Sequence, residues 1–472
     1  MQKPTSFGPV RIWGTGLALA ALSFLAGCAS HSQKLIKVRE ALVRGEPDAA
    51  LAEFAKQDEK ESDLLYLLER AYLEHEAGKY DLSNQHFQAA EERAVDLYTK
   101  SISGELASLI TSDNVLPYRG YAHELVMIHY YRAFNYLALG QYDGALVEAR
   151  KANQRLTELS DKREDKDTYR DDAFMQYFTA LLYDGEGEIN DAVVSYRDAH
   201  RVFGEYSEMY GISPPRTLEP DFYNALIRLG STDEADQLAA GRDEIREEAA
   251  KAKDANVVLF IESGFAPYLE PVDIILPIFD TKDDDEYRSC TGCEAKYAGV
   301  LVNRYGHNVY AYQSGSNLDH VLGFSFPQMI DYPSSVEWAE VTAPVKKPVP
   351  REPVQPLSSI AHQAFNDKIP QMLLKTIARA LVKEFARTRA KKESEVLGAL
   401  VNIANLATER ADTRTWFLLP GEVHMVKLAL PPGPQTIEIA LHSGDNAVVE
   451  TRTVGIDVAA HGLTFARVRS YR

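Results

Sequence analysis

The sequence predicts an α+β multidomain protein. An N-terminal α-solenoid of helical repeats is followed by a β-sandwich-like domain with an inserted long amphipathic helix. Three observations predict this fold class: related segments recur in the first half, the apolar periodicity becomes that of short strands after residue 256, and an amphipathic segment interrupts the strands. The resulting division is 1–27 (leader), 28–250 (repeats), 251–342 (β-rich), 343–357 (proline-rich connector), 358–410 (amphipathic helices) and 411–472 (C-terminal strands).

The first 27 residues have the profile of a signal peptide. Lys3 and Arg11 precede a run of small and aliphatic residues that is shorter than the roughly 20 apolar residues a spanning helix needs. The run ends in Leu25-Ala26-Gly27-Cys28, which resembles the lipobox of bacterial lipoproteins. The resemblance implies cleavage before Cys28 and acylation of its thiol and new amine. Because Ala29 follows where inner-membrane lipoproteins usually have Asp, it also implies the outer membrane.

Composition narrows the possible partners. The net charge of −18 becomes −20 once the leader is removed, which argues against nucleic acid or anionic lipid as a partner of the whole surface. The remaining 445 residues are too many for a single hydrophobic core, so the length predicts two or three domains. With 45% hydrophobic residues, the chain has enough apolar surface for globular folding.

Three segments, 64–90, 126–152 and 173–199, share a spacing of small and aromatic residues. Weaker copies occupy 37–56, with Gly45, and 222–240, with Gly230. The spacing resembles the tetratricopeptide repeat (TPR), a pair of helices of about 34 residues. Alanines would let the paired helices approach, and a glycine would end the first helix. The aligned positions are Ala71, Ala133 and Ala180; Gly78, Gly140 and Gly187; Phe87, Ala149 and Tyr196; and Ala90, Ala152 and Ala199.

The repeat period is irregular. Gly45 and Gly78 are 33 residues apart, but the next step is 62, which predicts an insertion around 95–122. The alternative architecture is an unrelated antiparallel helical bundle.

Short β-branched and aromatic segments follow the acidic helix predicted at 243–255. Segments 256–262, 272–279, 297–303 and 308–314 read as strands, as does the tail from Trp416. The connector is expected to be a stiff, extended tether. Beyond it, residues 368–392 predict a helix with one apolar side and a basic series that spirals around it. We expect this series to be solvated or paired with the protein's own acidic groups; the alternative is a docking site for an anionic glycan or lipid. The apolar side comprises Leu374, Ile377, Leu381 and Phe385; the basic series comprises Lys375, Arg379, Lys383, Arg387 and Lys391.

Two cysteines remain after Cys28. In an oxidising compartment, Cys290 and Cys293 predict a small structural disulfide, since the acidic run before them would raise rather than lower the pKa of a redox thiol.

Motifs for chemistry are weak. His123 and His129 are six residues apart, where a zinc-binding pair on a helix needs four. The acidic run 280–287 lacks the spacing of a calcium loop. We therefore predict no metal, no cofactor and no enzymatic activity, while a carboxylate pair for glycan hydrolysis remains open because such pairs come from distant parts of a chain.

Five features together resemble a family of poorly characterised Gram-negative envelope lipoproteins: the lipobox, the degenerate repeats, and segments 262–271, 369–386 and 411–439. The resemblance covers most of the mature chain and carries over no catalytic residue. It implies a link to lipoproteins that activate peptidoglycan synthases.

In TPR folds the first helix of each repeat lines a concave groove. The corresponding positions here are apolar or aromatic, which suits a helix or extended segment of a protein partner and not a peptide carboxylate. The same residues could instead pack against the insertion or the β domain. They are Leu65, Leu68, Tyr72, Met127, Tyr130, Phe134, Phe174, Tyr177 and Leu181.

The expected function is that of an outer-membrane-anchored periplasmic scaffold, which binds a protein partner in envelope assembly or in the regulation of peptidoglycan synthesis. The alternatives are a cell-wall or glycan-processing enzyme with an active site in the β domain, and an accessory subunit of an outer-membrane assembly.

Overall fold

Paired helices form the N-terminal half of the protein, here described from a computed structural model. The described residues are 30–57, 63–99, 116–162, 169, 171–279, 300–302, 318–394, 398, 401 and 410–472. The predicted lipidation site, Cys28, and the predicted disulfide, Cys290 with Cys293, lie outside them, as does the predicted strand 308–314.

The helices of this half are α1 (His31–Lys34), α2 (Ile36–Val43), α3 (Pro47–Phe54), α4 (Leu64–Glu76), α5 (Tyr80–Thr99), α6 (Ala122–Ala138), α7 (Tyr142–Lys162), α8 (Ala173–Glu186), α9 (Ile189–Tyr210), α10 (Leu218–Leu229), α11 (Thr232–Leu238) and α12 (Asp243–Ala252). The predicted helical repeats are confirmed: the five repeat segments form the pairs α2–α3, α4–α5, α6–α7, α8–α9 and α10–α11. All nine aligned alanine and aromatic positions at the first, third and fourth sites of the repeat are fully buried, so small residues allow the helices to approach closely.

A glycine ends the first helix of each pair. All five have left-handed φ values between 70° and 85°, a conformation that other L-residues adopt only with strain. They are Gly45, Gly78, Gly140, Gly187 and Gly230.

The irregular period has a structural cause in the second helices. Helices α5, α7 and α9 contain 20, 21 and 22 residues, longer than the first helices that they accompany. Part of the extra length therefore extends the second helices themselves, and residues 100–115 of the predicted insertion lie outside the described part.

The strands are β1 (Val257–Ser263), β2 (Tyr268–Phe279), β3 (Val300–Val302), β4 (Leu318–Ile330), β5 (Trp338–Ala343), β6 (Lys347–Pro348), β7 (Glu422–Leu428), β8 (Gly433–His442), β9 (Val448–Val458) and β10 (Thr464–Arg469). They form three sheets in the orders β10-β1-β7, β3-β2-β4 and β6-β5-β8-β9. Within the first sheet, β1 is parallel to β10 and antiparallel to β7.

Strand β1 is buried on both faces. Val257, Leu259 and Ile261 belong to the hydrophobic cluster that joins the first sheet to the four-stranded sheet. The alternate residues Val258 and Phe260 belong to the core of the helical repeats. The repeats and the β domain therefore share one strand between two cores, since successive side chains of a strand point to opposite faces.

The proline-rich connector, expected to be a stiff, extended tether, contacts the β domain at two places. Lys347–Pro348 pairs with β5, and the backbone of Gln355 exchanges hydrogen bonds with that of Val423. After the connector, helix α13 (Leu357–Glu393) lies in the chain between β6 and β7. Among the described helices, none combines the length and the apolarity that crossing a membrane requires.

Replacement of Gly140 by alanine tests the left-handed turn. A new Cβ would meet no atom within 4 Å, so the cost comes from φ alone, and we expect a loss of about 1–2 kcal/mol in the free energy of unfolding. Gly204 is the matched control: it lies inside α9 without a positive φ and with equal space, so Gly204→Ala should stabilise by about 0.5–1 kcal/mol. Urea unfolding measures both, and a stabilised Gly140→Ala variant would contradict the turn.

Candidate functional site: the concave face of the repeats

The nine positions predicted to line the groove lie on α4, α6 and α8, as expected for first helices of repeats. All nine are buried, with at most 6% of any one exposed. The structure thus brings them together on one face but leaves them no open surface. Four of them, Tyr72, Tyr130, Phe134 and Phe174, contact the β domain, as in the packing alternative. Tyr177 instead donates a hydrogen bond to Asp221 of the next repeat.

Strand β1 covers the centre of this face through Phe260. Its ring centroid lies 5.7 Å from that of Phe134, 5.9 Å from Phe174 and 6.4 Å from Tyr130, with near-perpendicular planes. Phe178, next to the predicted positions on α8, is 5.5 Å away. Edge-to-face packing of this kind is favourable for aromatic rings. A single phenylalanine therefore occupies the place that a partner's side chain would take.

The α4 end of the face is covered by the C-terminal part of the chain. The ring of Tyr72 lies 6.3 Å from that of Trp416, and its hydroxyl is 3.1 Å from the hydroxyl of Tyr471. Arg469 Nε donates a hydrogen bond to the same Tyr72 hydroxyl.

A buried charge network lies where α4 and α6 meet β1 and β10. Arg467 donates to Glu262 on β1 at 2.8 Å and to Glu76 on α4 at 2.6 Å. The hydroxyls of Tyr130 and Tyr471 also donate to Glu262 and Glu76, respectively. Each carboxylate is therefore neutralised and hydrogen-bonded, as buried charges must be.

The pKa values reflect this pairing. Burial is the largest single effect on Glu76 and would raise its pKa, but the charge of Arg467, the hydrogen bond from Tyr471 and further nearby charges together outweigh burial and lower the pKa below its usual range. Likewise, burial opposes the charged form of Arg467, whereas Glu262 and Glu76 together raise the pKa of the guanidinium well above its usual value. Both groups are thus held in their charged forms.

Further along the face, Asp221 on α10 joins the repeats to β7. Its carboxylate accepts a hydrogen bond from the Tyr177 hydroxyl at 2.6 Å. It also forms an ion pair with the ammonium group of Lys427 at 2.8 Å. On α6, Glu124 accepts from the backbone N–H of Trp416 at 2.8 Å. Polar contacts thus link the β domain to α4, α6 and α10, and they fix its position more specifically than apolar packing does.

This arrangement does not suit acid–base chemistry. Glu262 and Asp221 are buried and paired with cations, so neither has a path for exchanging a proton with a substrate.

The buried charges of Glu262, Arg467 and Arg469 were not predicted from the sequence, although the sequence pattern contains a signal for each. Within segment 256–262, residues 257–261 form an unbroken apolar run that is followed by a glutamate, the pattern of a strand buried on both faces. In β10, Arg467 and Arg469 alternate with apolar residues, so both arginines point to one face of the sheet.

One cluster outside this face has the composition of a metal site. Ligand atoms of Glu91, His129 and Glu148 lie within 4.8 Å of one another. However, Arg132 contacts both carboxylates, at 2.9 and 3.1 Å, and Arg155 donates to Glu91 at 2.7 Å. A cation would have to compete with these guanidinium groups. The geometry therefore fits an ion-pair network that joins α5, α6 and α7.

Comparisons with known proteins identify no family: no family model matches the chain, and no curated protein does. Solved structures with similar helices include aspartyl phosphate phosphatase F from Bacillus subtilis, at 14% identity and a TM-score of 0.29, covering 50% of this chain and 55% of that one. The chain thus spans about half the length of that phosphatase.

A second similar structure is a putative kinesin light chain from Podosopora anserina with nearly identical TPR-like repeats. It has 14% identity and a TM-score of 0.29, and the match covers 46% of this chain and 94% of that one. A single-residue variant of that light chain matches at 16% identity with the same TM-score, over 47% of this chain and 94% of that one. No activity or partner of these proteins is carried over to this chain.

Truncation of Phe260 tests whether β1 fills the concave face. Phe260→Ala should lower the free energy of unfolding by about 3–5 kcal/mol, because it leaves a cavity among four aromatic rings. Val448→Ala, at an exposed strand position, is the control and should change stability by less than about 0.5 kcal/mol. Urea unfolding gives both values; a Phe260→Ala variant as stable as the control would show that the face is open.

His75 on α4 predicts a pH dependence. Burial, together with the charge of Arg467, lowers the pKa of His75 from 6.5 to about 3. The neutral ring lies 2.6 Å from Asn135 Oδ1. The unfolded chain accepts a proton near pH 6.5 and the folded chain does not. This contribution to stability is therefore present above pH 6.5 and is lost as the pH falls toward 3.

The measurement is urea unfolding at intervals between pH 7 and pH 4. His75→Gln should give a shallower decline in the free energy of unfolding over this range. The exposed His461 provides the control, and His461→Gln should follow the wild-type curve. Equal slopes for wild type and His75→Gln would refute the assignment.

Proposed function

We propose that this protein is a non-enzymatic, protein-binding scaffold of the Gram-negative cell envelope. Acyl chains on Cys28 would anchor it to the outer membrane facing the periplasm, where it would act in envelope assembly or in the regulation of peptidoglycan synthesis. The observation that carries the proposal is the concave face, which the β domain fills. The repeats and the β domain then present their outer surfaces to a partner as one body.

The start of the described chain supports a short anchor. The hydroxyls of Ser30 and Ser32 donate to one oxygen of Glu270 on β2, at 2.9 and 2.7 Å, and His31 Nε2 lies 2.7 Å from Glu69 on α4. Only Ala29 separates Ser30 from Cys28. Acylation at Cys28 would therefore hold the folded body directly against the lipid surface, without a flexible linker.

A partner surface is available on the other side of the repeats. Gln176 and Thr179 on α8 are about 200° and 100° around the helix from Phe178, which faces β1. On their side an open cleft of about 200 Å³ runs between α7, α8 and α9. Arg150, Asp191 and the exposed Val194 also line it, so the cleft offers a cation, an anion and an apolar contact. This mixture is typical of non-obligate protein interfaces.

The anchor is tested by Cys28→Ser in cells labelled with palmitate. We expect loss of label and loss of the protein from the outer-membrane fraction, because three acyl chains provide the stable attachment. Label that still enters the variant would disprove anchoring through this cysteine.

The partner surface is tested by pull-down from crosslinked envelopes. Arg150→Glu with Val194→Asp should lose proteins that the wild type captures, at an unchanged melting temperature. The control variant, Lys253→Glu with Val448→Asp, makes the same kinds of change at exposed positions elsewhere and should still capture the proteins that the wild type captures. A cleft variant that keeps every partner would refute the surface, and release of fragments from purified peptidoglycan by the wild-type protein would favour the enzyme alternative.

A further inference from the structure

The second part of helix α13, residues 369–393, exposes an apolar stripe. The exposed fractions are 69% for Leu374, 57% for Ile377, 62% for Leu381 and 82% for Phe385. The spacings of three and four residues place these side chains on one side of the helix. The first part of α13 is different, since its large apolar residues Leu357, Ile360 and Phe365 are buried. One helix is thus packed at its start and presents large apolar side chains to the outside beyond Pro370.

The polar side of the same segment is basic. Between 369 and 393 the chain has seven Lys or Arg and two Glu, a net charge of +5 in a protein whose total is −18. Arg379, Lys383 and Arg387 are buried on the side opposite the stripe, about 200° from Leu381 or Phe385. The exposed Arg389 and Lys392 continue the stripe at its C-terminal end.

This combination is typical of a helix that lies in the interface of a membrane. Such helices have Leu and Phe on one face and Lys and Arg around it, and they bind by apolar burial together with attraction to anionic lipid. A second copy of the chain fits less well, because pairing of two stripes would bring together the exposed Arg389 and Lys392 of both chains and also two strongly acidic bodies. The complementary surface is therefore an anionic lipid bilayer.

The position of α13 agrees with this occupant. On the β2–β4 ribbon, Glu270, which holds Ser30, pairs with Gln328. Three residues farther along the chain, Asp331 lies 2.7 Å from His362 of α13. Three residues of strand span about 10 Å and the step from Gln328 across to Glu270 adds about 5 Å, so the base of α13 lies roughly 10–15 Å from the strand position that holds the start of the described chain.

We propose that residues 369–393 lie on the surface of an anionic bilayer, with Leu374, Ile377, Leu381 and Phe385 inserted between the headgroups. In the cell this contact rests on the proposed anchoring at Cys28 and would fix the orientation of the body on the membrane. The contact between helix and lipid does not itself need the acyl chains, so it can be measured separately.

The experiment uses the chain from residue 29 without acyl groups, which contains every described residue. It is floated with vesicles of phosphatidylglycerol and phosphatidylethanolamine, and with vesicles of phosphatidylcholine alone. We expect binding to the anionic vesicles, weaker at high salt. Leu381→Asp with Phe385→Asp should reduce the affinity about tenfold or more. Leu82→Asp with Val448→Asp adds the same charge at other exposed apolar positions and should bind as the wild type does.

A second measurement does not depend on a charged variant folding. Phe385→Trp should show tryptophan fluorescence that brominated lipid quenches in anionic vesicles, above the background of Trp338 and Trp416. The proposal is overturned if the wild-type chain does not bind anionic vesicles, if the Asp variant binds as well as its control, or if the introduced tryptophan stays fully accessible to an aqueous quencher. It is also overturned if the stripe instead holds a dimer that the Asp variant dissociates. Absence of palmitate on Cys28 would refute the anchor alone and leave these results unchanged.

Discussion

The packing of β1 into the concave face of the repeats is the constraint on which the rest of the structure depends. Repeat helices bury their flanks against each other but leave the inner face of each first helix without a partner. Here Phe260 occupies the middle of that face among rings from α6 and α8. The opposite face of β1 contributes Leu259 to the core between the sheets. Because one strand completes both cores, we expect the repeats and the β domain to unfold together.

The buried charges specify how the two parts fit. A buried ion pair need not add stability over an apolar pair of the same shape, but a charge without its partner is costly. In the parallel pairing of β1 with β10, Phe260 stands beside Arg467 and Glu262 beside Arg469. A shift of β10 by one residue would turn Arg467 away from Glu262 and Glu76, because neighbouring residues of a strand face opposite sides. The network therefore selects one register and one docking position.

A filled concave face changes what the repeats can do. The aromatic positions that would anchor a bound segment serve as the internal contact with the β domain, so surfaces on the outside of the molecule are left for partners. Two such surfaces differ in chemistry. The cleft lined by Arg150 and Val194 is small and mixed in polarity, as suits a protein, whereas the stripe of α13 is apolar and flanked by cations, as suits lipid. If the chain is anchored at Cys28, these surfaces would let it hold a protein partner at a fixed orientation to the membrane.

The sequence by itself determined the local elements, because their signals are local. Gly140 ends a helix through its own φ, Ala133 and Ala180 mark close helix contacts, and the apolar run within 256–262 indicates a strand. It also revealed one apolar side of α13. Only the tertiary structure decided what each face touches. Whether Tyr130 lines an open groove or packs against Phe260 depends on a strand 130 residues away, and the same side chain suits both. Likewise, periodicity showed that Leu381 and Phe385 share a side but not that this side is exposed while Arg379 is buried. The physical reason is that hydrophobic burial is non-directional: a sequence records which faces avoid water, and the assembled chain decides what covers them.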